Sequence, residues 1–265
     1  MIGLAAGRRL ALGEDPDGGL ALTQILAAEL AAGRRDLQAL AHRWVAQHQA
    51  APDGIDPETG AALAHLARHD APPSEAAGAG SDPLVRVLPV ALAAYDAPRT
   101  LVSATYHIAT LTHPLPEVAW AAVAVNVALA RFLQGKRDFV PDVIEALRSN
   151  EVPAALLAAV RRVPLRTSRT ATEDAPGQAV ADAEAALWLA YHEPVLERGI
   201  RGMATGKAAV GRTGLAGALM GARDGISAIP SAWTIGLDRG NLEALAARLV
   251  RADSVLAAGL AAGDR

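Results

Sequence analysis

The most apolar stretch of the sequence is PEVAWAAVAVNVALARFLQGK, at residues 116–136. It is apolar on almost every side and stops at Gly135, which is typical of a buried α-helix that ends in a left-handed cap. Its apolar part is shorter than the roughly 20 residues that a membrane span needs, and it contains Asn126 and Arg131. We therefore predict a helix at the centre of the core and no membrane span.

The segments on both sides of this helix repeat apolar residues at the three-and-four spacing of amphipathic helices. In RDLQALAHRWVAQH, residues 35–48, this spacing places Leu37, Leu40 and Trp44 on one face. Similar stripes are Val143, Ile144 and Leu147; Val180, Leu187 and Tyr191; and Leu242, Leu245 and Leu249 after a predicted Asn241 cap. At least eight helices result, and no run alternates for long enough to indicate a sheet.

Two segments rich in Pro, Gly, Ser or Thr are predicted to be loops, at 68–83 and 166–178. Neither is long enough or simple enough in composition to be an interdomain linker. The sequence therefore predicts an all-α protein, with a single compact multi-helix domain over residues 1–265.

Composition limits the possible partners. The 265 residues carry a formal net charge of -3, which argues against a nucleic-acid-binding protein and favours a small-molecule ligand. No cysteine is present, so disulfides and thiolate metal sites are excluded and a reducing compartment is permitted. Since no signal peptide is recognisable either, we expect a cytoplasmic protein.

A glycine-rich segment, GKAAVGRTGLAGALMGARDGISAIPSAW at 206–233, is laid out like an anion-binding loop before a helix. It is not a phosphate-binding P-loop, because Ala208 stands where the motif needs Ser or Thr after the lysine. Gly211, Gly214 and Gly217 are spaced three apart, which favours close helix packing over ligand contact.

Four short motifs follow one another along the chain, and their order points to a known family. They are RVLPVAL at 86–92, THP at 112–114, GALMGARDG at 217–225 and IPSAW at 229–233. In content and rough spacing the chain resembles the ADP-ribosylglycohydrolase family, which includes the dinitrogenase reductase-activating glycohydrolases. The resemblance spans nearly the whole chain. It implies one all-α globule whose cleft holds two magnesium ions and an ADP-ribosyl group.

The acids of the family motifs are missing from this chain. Where the family typically reads Thr-Asp-Asp-Thr-Gln, residues 20–24 read Leu-Ala-Leu-Thr-Gln, and where it reads Gly-Asp-x-Asp-Thr, residues 207–211 read Lys-Ala-Ala-Val-Gly. An early family Asp is replaced by Arg8. Magnesium prefers anionic oxygen ligands, so we predict no metal site here, no cofactor, and no metal-assisted hydrolysis.

The resemblance also indicates which residues line the cleft. The predicted ligand-binding residues are Arg8, Thr23, Gln24, Ser81, His113, Lys207, Gly211 and Arg212. Two interpretations of the basic ones remain open: they form a metal-free anion pocket, because guanidinium groups can hold a pyrophosphate, or they fill the space that the ions leave. Glu14 and Asp82 are the candidate catalytic acids or bases, although an Asp before Pro is also a common turn residue.

Two classes of function follow. The first is a pseudoenzyme of the ADP-ribosylglycohydrolase fold that binds ADP-ribose, another nucleotide-like or sugar-phosphate ligand, or a protein partner. The alternative is a metal-independent enzyme that acts on an ADP-ribosyl or related N-glycosidic substrate, with arginine in place of magnesium.

Overall fold

The computed structural model of the chain describes residues 1–13, 15, 17–75, 77–166, 179–204 and 209–260, without the side chains at 209 and 252–260. Within these ranges the protein is built from helices, and no strand occurs. The helices are α1 Ile2–Leu12, α2 Gly18–Ala31, α3 Leu37–Ala50, α4 Pro57–His69, α5 Asp82–Arg86, α6 Pro89–Ala93, α7 Pro98–Thr110, α8 Pro116–Leu133, α9 Val140–Arg148, α10 Ala154–Arg162, α11 Ala179–His192, α12 Leu196–Arg201, α13 Ala209–Asp224 and α14 Arg239–Leu260. Short 3-10 turns follow α13 at Ile226–Ala228 and Ser231–Thr234.

Helix α8 lies at the centre of the fold, as its sequence predicts. It packs against α7, α9, α11 and α13, and also against the short helices α5 and α6. Its polar Asn126 is fully buried and donates hydrogen bonds to the Val87 carbonyl oxygen and the Thr105 hydroxyl. Gly135 has φ +75°, which confirms the predicted left-handed cap.

By length and hydropathy, α8 is also the one helix among the described residues that could cross a membrane. However, 78% of its apolar window is buried inside the protein. It is therefore a core helix, and its apolar surface is covered by the other helices.

Helices α1 and α13 pack through glycines on both sides. A Cβ at Gly217 would overlap the carbonyl oxygen of Gly3, and a Cβ at Gly7 would overlap that of Thr213. Gly214 faces α1 as well, against the stem of Arg8. The predicted close packing is thus confirmed for Gly214 and Gly217, whereas Gly211 faces Ser81.

Most of the predicted helix faces are observed. Leu40, Trp44 and Leu249 are buried, and the loop predicted at 68–83 separates α4 from α5. The second predicted loop, 166–178, lies outside the described residues except for Arg166.

Two details of the helix predictions were wrong. Tyr191 is 39% exposed, because α11 buries the alanine face that includes Ala183 and Ala190. The start of α14 is capped by Asp238, whose carboxylate accepts a hydrogen bond from the Asn241 backbone N–H at 3.1 Å.

Candidate functional site

Arg8, near the end of α1, is buried between two carboxylates. Its side chain is 4% exposed, and its Nε and Nη2 donate to the Asp17 carboxylate at 2.6–2.9 Å. Its Nη1 lies 3.8 Å from Asp82 Oδ1. Asp17 also caps α2, since it accepts a hydrogen bond from the Leu20 N–H. One guanidinium therefore joins the start of α2 to the start of α5.

Glycines make the room for this guanidinium. A Cβ at Gly19 would overlap Arg8 Nη2 and would lie 2.9 Å from Asp82 Oδ1. A Cβ at Gly214 would lie 2.8 Å from Arg8 Cγ. The position of Arg8 thus depends on small residues in α2 and α13.

Asp82 is shared between Arg8 and a second arginine, Arg86. The fully buried Arg86 donates through Nη1 to Asp82 Oδ2 at 2.7 Å and through Nη2 to the Thr112 hydroxyl. Its guanidinium also lies over the Trp44 ring, 4.9 Å from the centroid. Burial alone would raise the pKa of Asp82, but Arg86 and Arg8 hold it below its ordinary value.

Asp56 lies beside Asp82 at the start of α4. One of its oxygens, Oδ1, accepts the Thr59 N–H at 3.0 Å and caps the helix, while Oδ2 is buried and has no hydrogen-bond partner within the part of the chain that the structure describes. Burial, together with the charge of Asp82, raises the pKa of Asp56 to about 6. This carboxyl can therefore change its protonation state close to neutral pH.

His113 completes this group, next to Glu58. The imidazole is 1% exposed, with Nδ1 3.1 Å from Thr112 Oγ1 and Nε2 3.5 Å from Glu58 Oε2. Burial, followed by the charge of Arg86, lowers the pKa of His113 to about 4, so the ring is neutral at physiological pH. Glu58 in turn accepts the Gly80 N–H at 2.7 Å.

A second polar cluster lies where α13 begins. Arg212 Nε donates to Asp182 Oδ1 at 2.6 Å, and a Cβ at Gly211 would overlap the hydroxyl of Ser81. Burial raises the pKa of Asp182, although Ser81 and Arg212 partly offset that effect. Ser81 belongs to this cluster and Asp82 to the first one. Because the two residues are adjacent in sequence, the two clusters are neighbours.

The structure brings together most of the residues that the sequence singles out. Arg8, Ser81, Asp82, His113, Gly211 and Arg212 all belong to these two clusters. For Arg8, the contacts with Asp17 and Asp82 favour the interpretation that it fills the space where the resemblance implies metal ions. Arg212 is bonded to Asp182 through Nε, and both interpretations stay open for it. Thr23 and Gln24 lie on α2, where the buried Thr23 hydroxyl donates to the Gly19 carbonyl oxygen in the same helix. Glu14 and Lys207 lie outside the described residues.

Four acids of the site were missed or not assigned from the sequence: Asp17, Asp56, Glu58 and Asp182. Three of them had a local signal. Asp17 and Asp56 precede helices at the N-cap position, and Asp182 lies, with Glu184, in a largely apolar helical run. An acid on an apolar helix face requires a buried partner, and the sequence does not reveal which one.

Comparison with known proteins agrees with the helical architecture. A family model described as ADP-ribosylglycohydrolase matches residues 11–258. A solved structure described as "ADP-ribosylglycohydrolase-related protein complex" is 25% identical, with 95% of each chain covered and a TM-score of 0.76. Curated protein sequences gave no significant match.

Proposed function

Because the chain belongs to the ADP-ribosylglycohydrolase family, we propose that it keeps the family's cleft as a binding site but has lost magnesium-dependent hydrolysis of ADP-ribosyl bonds. The observation that carries this proposal is the buried Arg8 guanidinium, bonded to Asp17 and 3.8 Å from Asp82. Asp17, a carboxylate that could otherwise attract a metal ion, is paired with a cation of the chain itself, and Asp82 lies between this cation and Arg86.

The residues at the implied magnesium positions do not fit a pair of these ions. Leu22 is fully buried in the hydrophobic core. Like Ala21 and Val210, it has no side-chain oxygen that could bind a metal ion. Magnesium needs near-octahedral oxygen ligation, which such side chains cannot provide. The family's metal-assisted step therefore has no ligand set at these positions.

An anionic ligand is the best-supported occupant of the cleft. Gly211 and Arg212 lie in the first turn of α13, where the helix dipole favours negative charge, and Ser81 lies against them. A nucleotide-like or sugar-phosphate ligand, such as ADP-ribose, has the phosphates to use this position. Lys207, two residues before Ala209 in sequence and outside the described residues, stays a predicted contact.

Thermal unfolding with ADP-ribose tests this function. We expect the ligand to raise the melting temperature to the same extent in EDTA and in millimolar magnesium, because only the folded state binds it. Arg212→Met should reduce the shift, whereas Arg148→Met, at an exposed position, should not. A shift that requires magnesium, or a crystal soaked in magnesium with two ions between Thr23 and Gly211, would refute the proposal.

The alternative, a metal-independent enzyme, is favoured by one observation. Asp56 has a pKa of about 6 beside the ionised Asp82, an arrangement suited to proton transfer to or from a bound substrate. We would then expect release of ADP-ribose from an ADP-ribosylated arginine peptide in the presence of EDTA. This turnover should be lost in Asp82→Asn. Glu14→Gln tests Glu14, the second candidate for the catalytic acid or base.

A protein partner remains the third possibility within this proposal. It is favoured if ADP-ribose gives neither stabilisation nor turnover. The net charge of -3 supports a partner other than nucleic acid, and the absence of cysteine supports a cytoplasmic location.

A further inference from the structure

We propose that Asp56, Glu58 and His113 bind one divalent transition-metal ion, such as Zn²⁺, at a site distinct from the implied magnesium positions. One ligand atom from each residue lies within 4.8 Å of the other two. Imidazole nitrogen and carboxylate oxygen are ligands that Zn²⁺ accepts, at about 2.0–2.2 Å. Small side-chain rotations would bring the three atoms to a common ion.

The strongest indication is the orphan nitrogen of His113. The side chain is 1% exposed, and among the described residues its Nε2 has no hydrogen-bond partner, although it lies 3.5 Å from Glu58 Oε2. A buried polar atom without a partner is costly, and native structures rarely contain one without a reason. A bound cation would satisfy this atom.

The two carboxylates are also arranged to receive a cation. The Asp56 carboxyl lies close to the Asp82 carboxylate and the Thr59 hydroxyl; among the described residues its buried Oδ2 has no partner with hydrogen-bond geometry, while its Oδ1 caps α4. Glu58 lies against the loop before α5, where a Cβ at Gly78 or at Gly80 would overlap its carboxylate. Because Gly78 and Gly80 have no side chains, the Glu58 carboxylate can lie against this loop and close to the imidazole.

The charge of the whole cluster favours a divalent ion. Two guanidinium groups and four carboxylates meet here, which leaves two negative charges when the imidazole is neutral. These groups are Arg8, Arg86, Asp17, Asp56, Glu58 and Asp82. One divalent cation would balance that charge in a partly buried site, where uncompensated charge is costly.

The surroundings of His113 also suit a metal ligand. A ligating histidine typically donates its second ring N–H to a nearby acceptor, which fixes the ring. Thr112 Oγ1 lies 3.1 Å from Nδ1 and can accept that proton. Glu58 is 34% exposed, so water can reach the ion and fill its remaining coordination positions.

Zinc titration of the chelator-treated full chain tests this inference, with competition against a chromogenic chelator. We expect one equivalent to bind, and His113→Gln or Glu58→Gln to weaken binding by at least about 100-fold, since loss of an outer partner alone costs about 10- to 100-fold. His107→Gln is the matched control, because His107 is exposed and bonds to the Ser103 carbonyl oxygen. It should leave the affinity unchanged.

A second measurement does not depend on whether the variants fold. In the long-range ¹H–¹⁵N spectrum of the unmodified protein, one equivalent of Zn²⁺ should shift Nε2 of a single imidazole. No binding, or equal affinity for His113→Gln and the unmodified chain, would overturn the inference. Neither a failure to bind zinc nor an unchanged affinity would affect the proposed loss of the two magnesium ions. That proposal is tested by the magnesium soak and by thermal unfolding with ADP-ribose.

Discussion

At the scale of single residues, Arg8 has the clearest structural role. It is 4% exposed and holds Asp17 through two nitrogens. Arg8→Met would leave Asp17 without its ion-pair partner, while Asp82 would keep Arg86, so we expect the free energy of unfolding to fall by about 3 kcal/mol. Urea denaturation measures the change.

The control for Arg8 is Arg35→Met, since Arg35 is exposed in the turn before α3. We expect its effect to stay within about 0.5 kcal/mol. Equal, small losses in the two variants would show that Arg8 does not link α1 to the site.

Asp182 gives a prediction on pH at the same scale. Its pKa is raised by burial, so its protonated form contributes stability that is complete below about pH 3.9, the ordinary pKa. This contribution is lost as the pH rises through the higher pKa of the folded state. The stability of Asp182→Asn relative to the unmodified chain should therefore increase as the pH rises above 4.

The measurement is denaturation of both proteins across pH 4–8. Asp138→Asn serves as control, because Asp138 is exposed. The raised pKa would be contradicted if the stability of Asp182→Asn relative to the unmodified chain stayed constant, or fell, as the pH rises.

At the scale of elements, the glycine contact between α1 and α13 positions the site, because α1 carries Arg8 and α13 carries Arg212. Gly217→Ala would push a methyl group into the Gly3 carbonyl oxygen. We expect a loss of about 1–3 kcal/mol in the free energy of unfolding as the helices separate.

Gly60→Ala is the matched control within α4. A Cβ at Gly60 would find its nearest neighbour, His48, at an ordinary 3.5 Å. Replacement of a helical glycine should then stabilise the protein by about 0.5–1 kcal/mol. If both substitutions changed the free energy of unfolding in the same direction and by the same amount, close helix contact would not explain the glycine at position 217.

At the scale of the whole molecule, one hydrophobic cluster extends from Leu4 to Leu249 and includes buried residues of nearly every helix. A shared core couples its elements, so we expect a single cooperative unfolding transition for the predicted domain at 1–265. Far-ultraviolet circular dichroism and tryptophan fluorescence, which reports on Trp44, Trp120, Trp188 and Trp233 together, should give the same denaturant midpoint. Two separate midpoints would indicate two folding units.

The helical class, the central position of α8 and the close packing of Gly214 and Gly217 could be predicted from the sequence, because they depend on local periodicity and side-chain size. Ser81, Asp82 and His113 were singled out through the resemblance to the family.

Only the tertiary structure decided the partners within the site. It paired Arg8 with Asp82 and placed Glu58 beside His113, residues that are far apart in the chain. Helix periodicity specifies which face is buried, but the ion pair that a buried charge makes depends on how distant helices pack together. The ion pairs of the site therefore follow from packing, which no local pattern encodes.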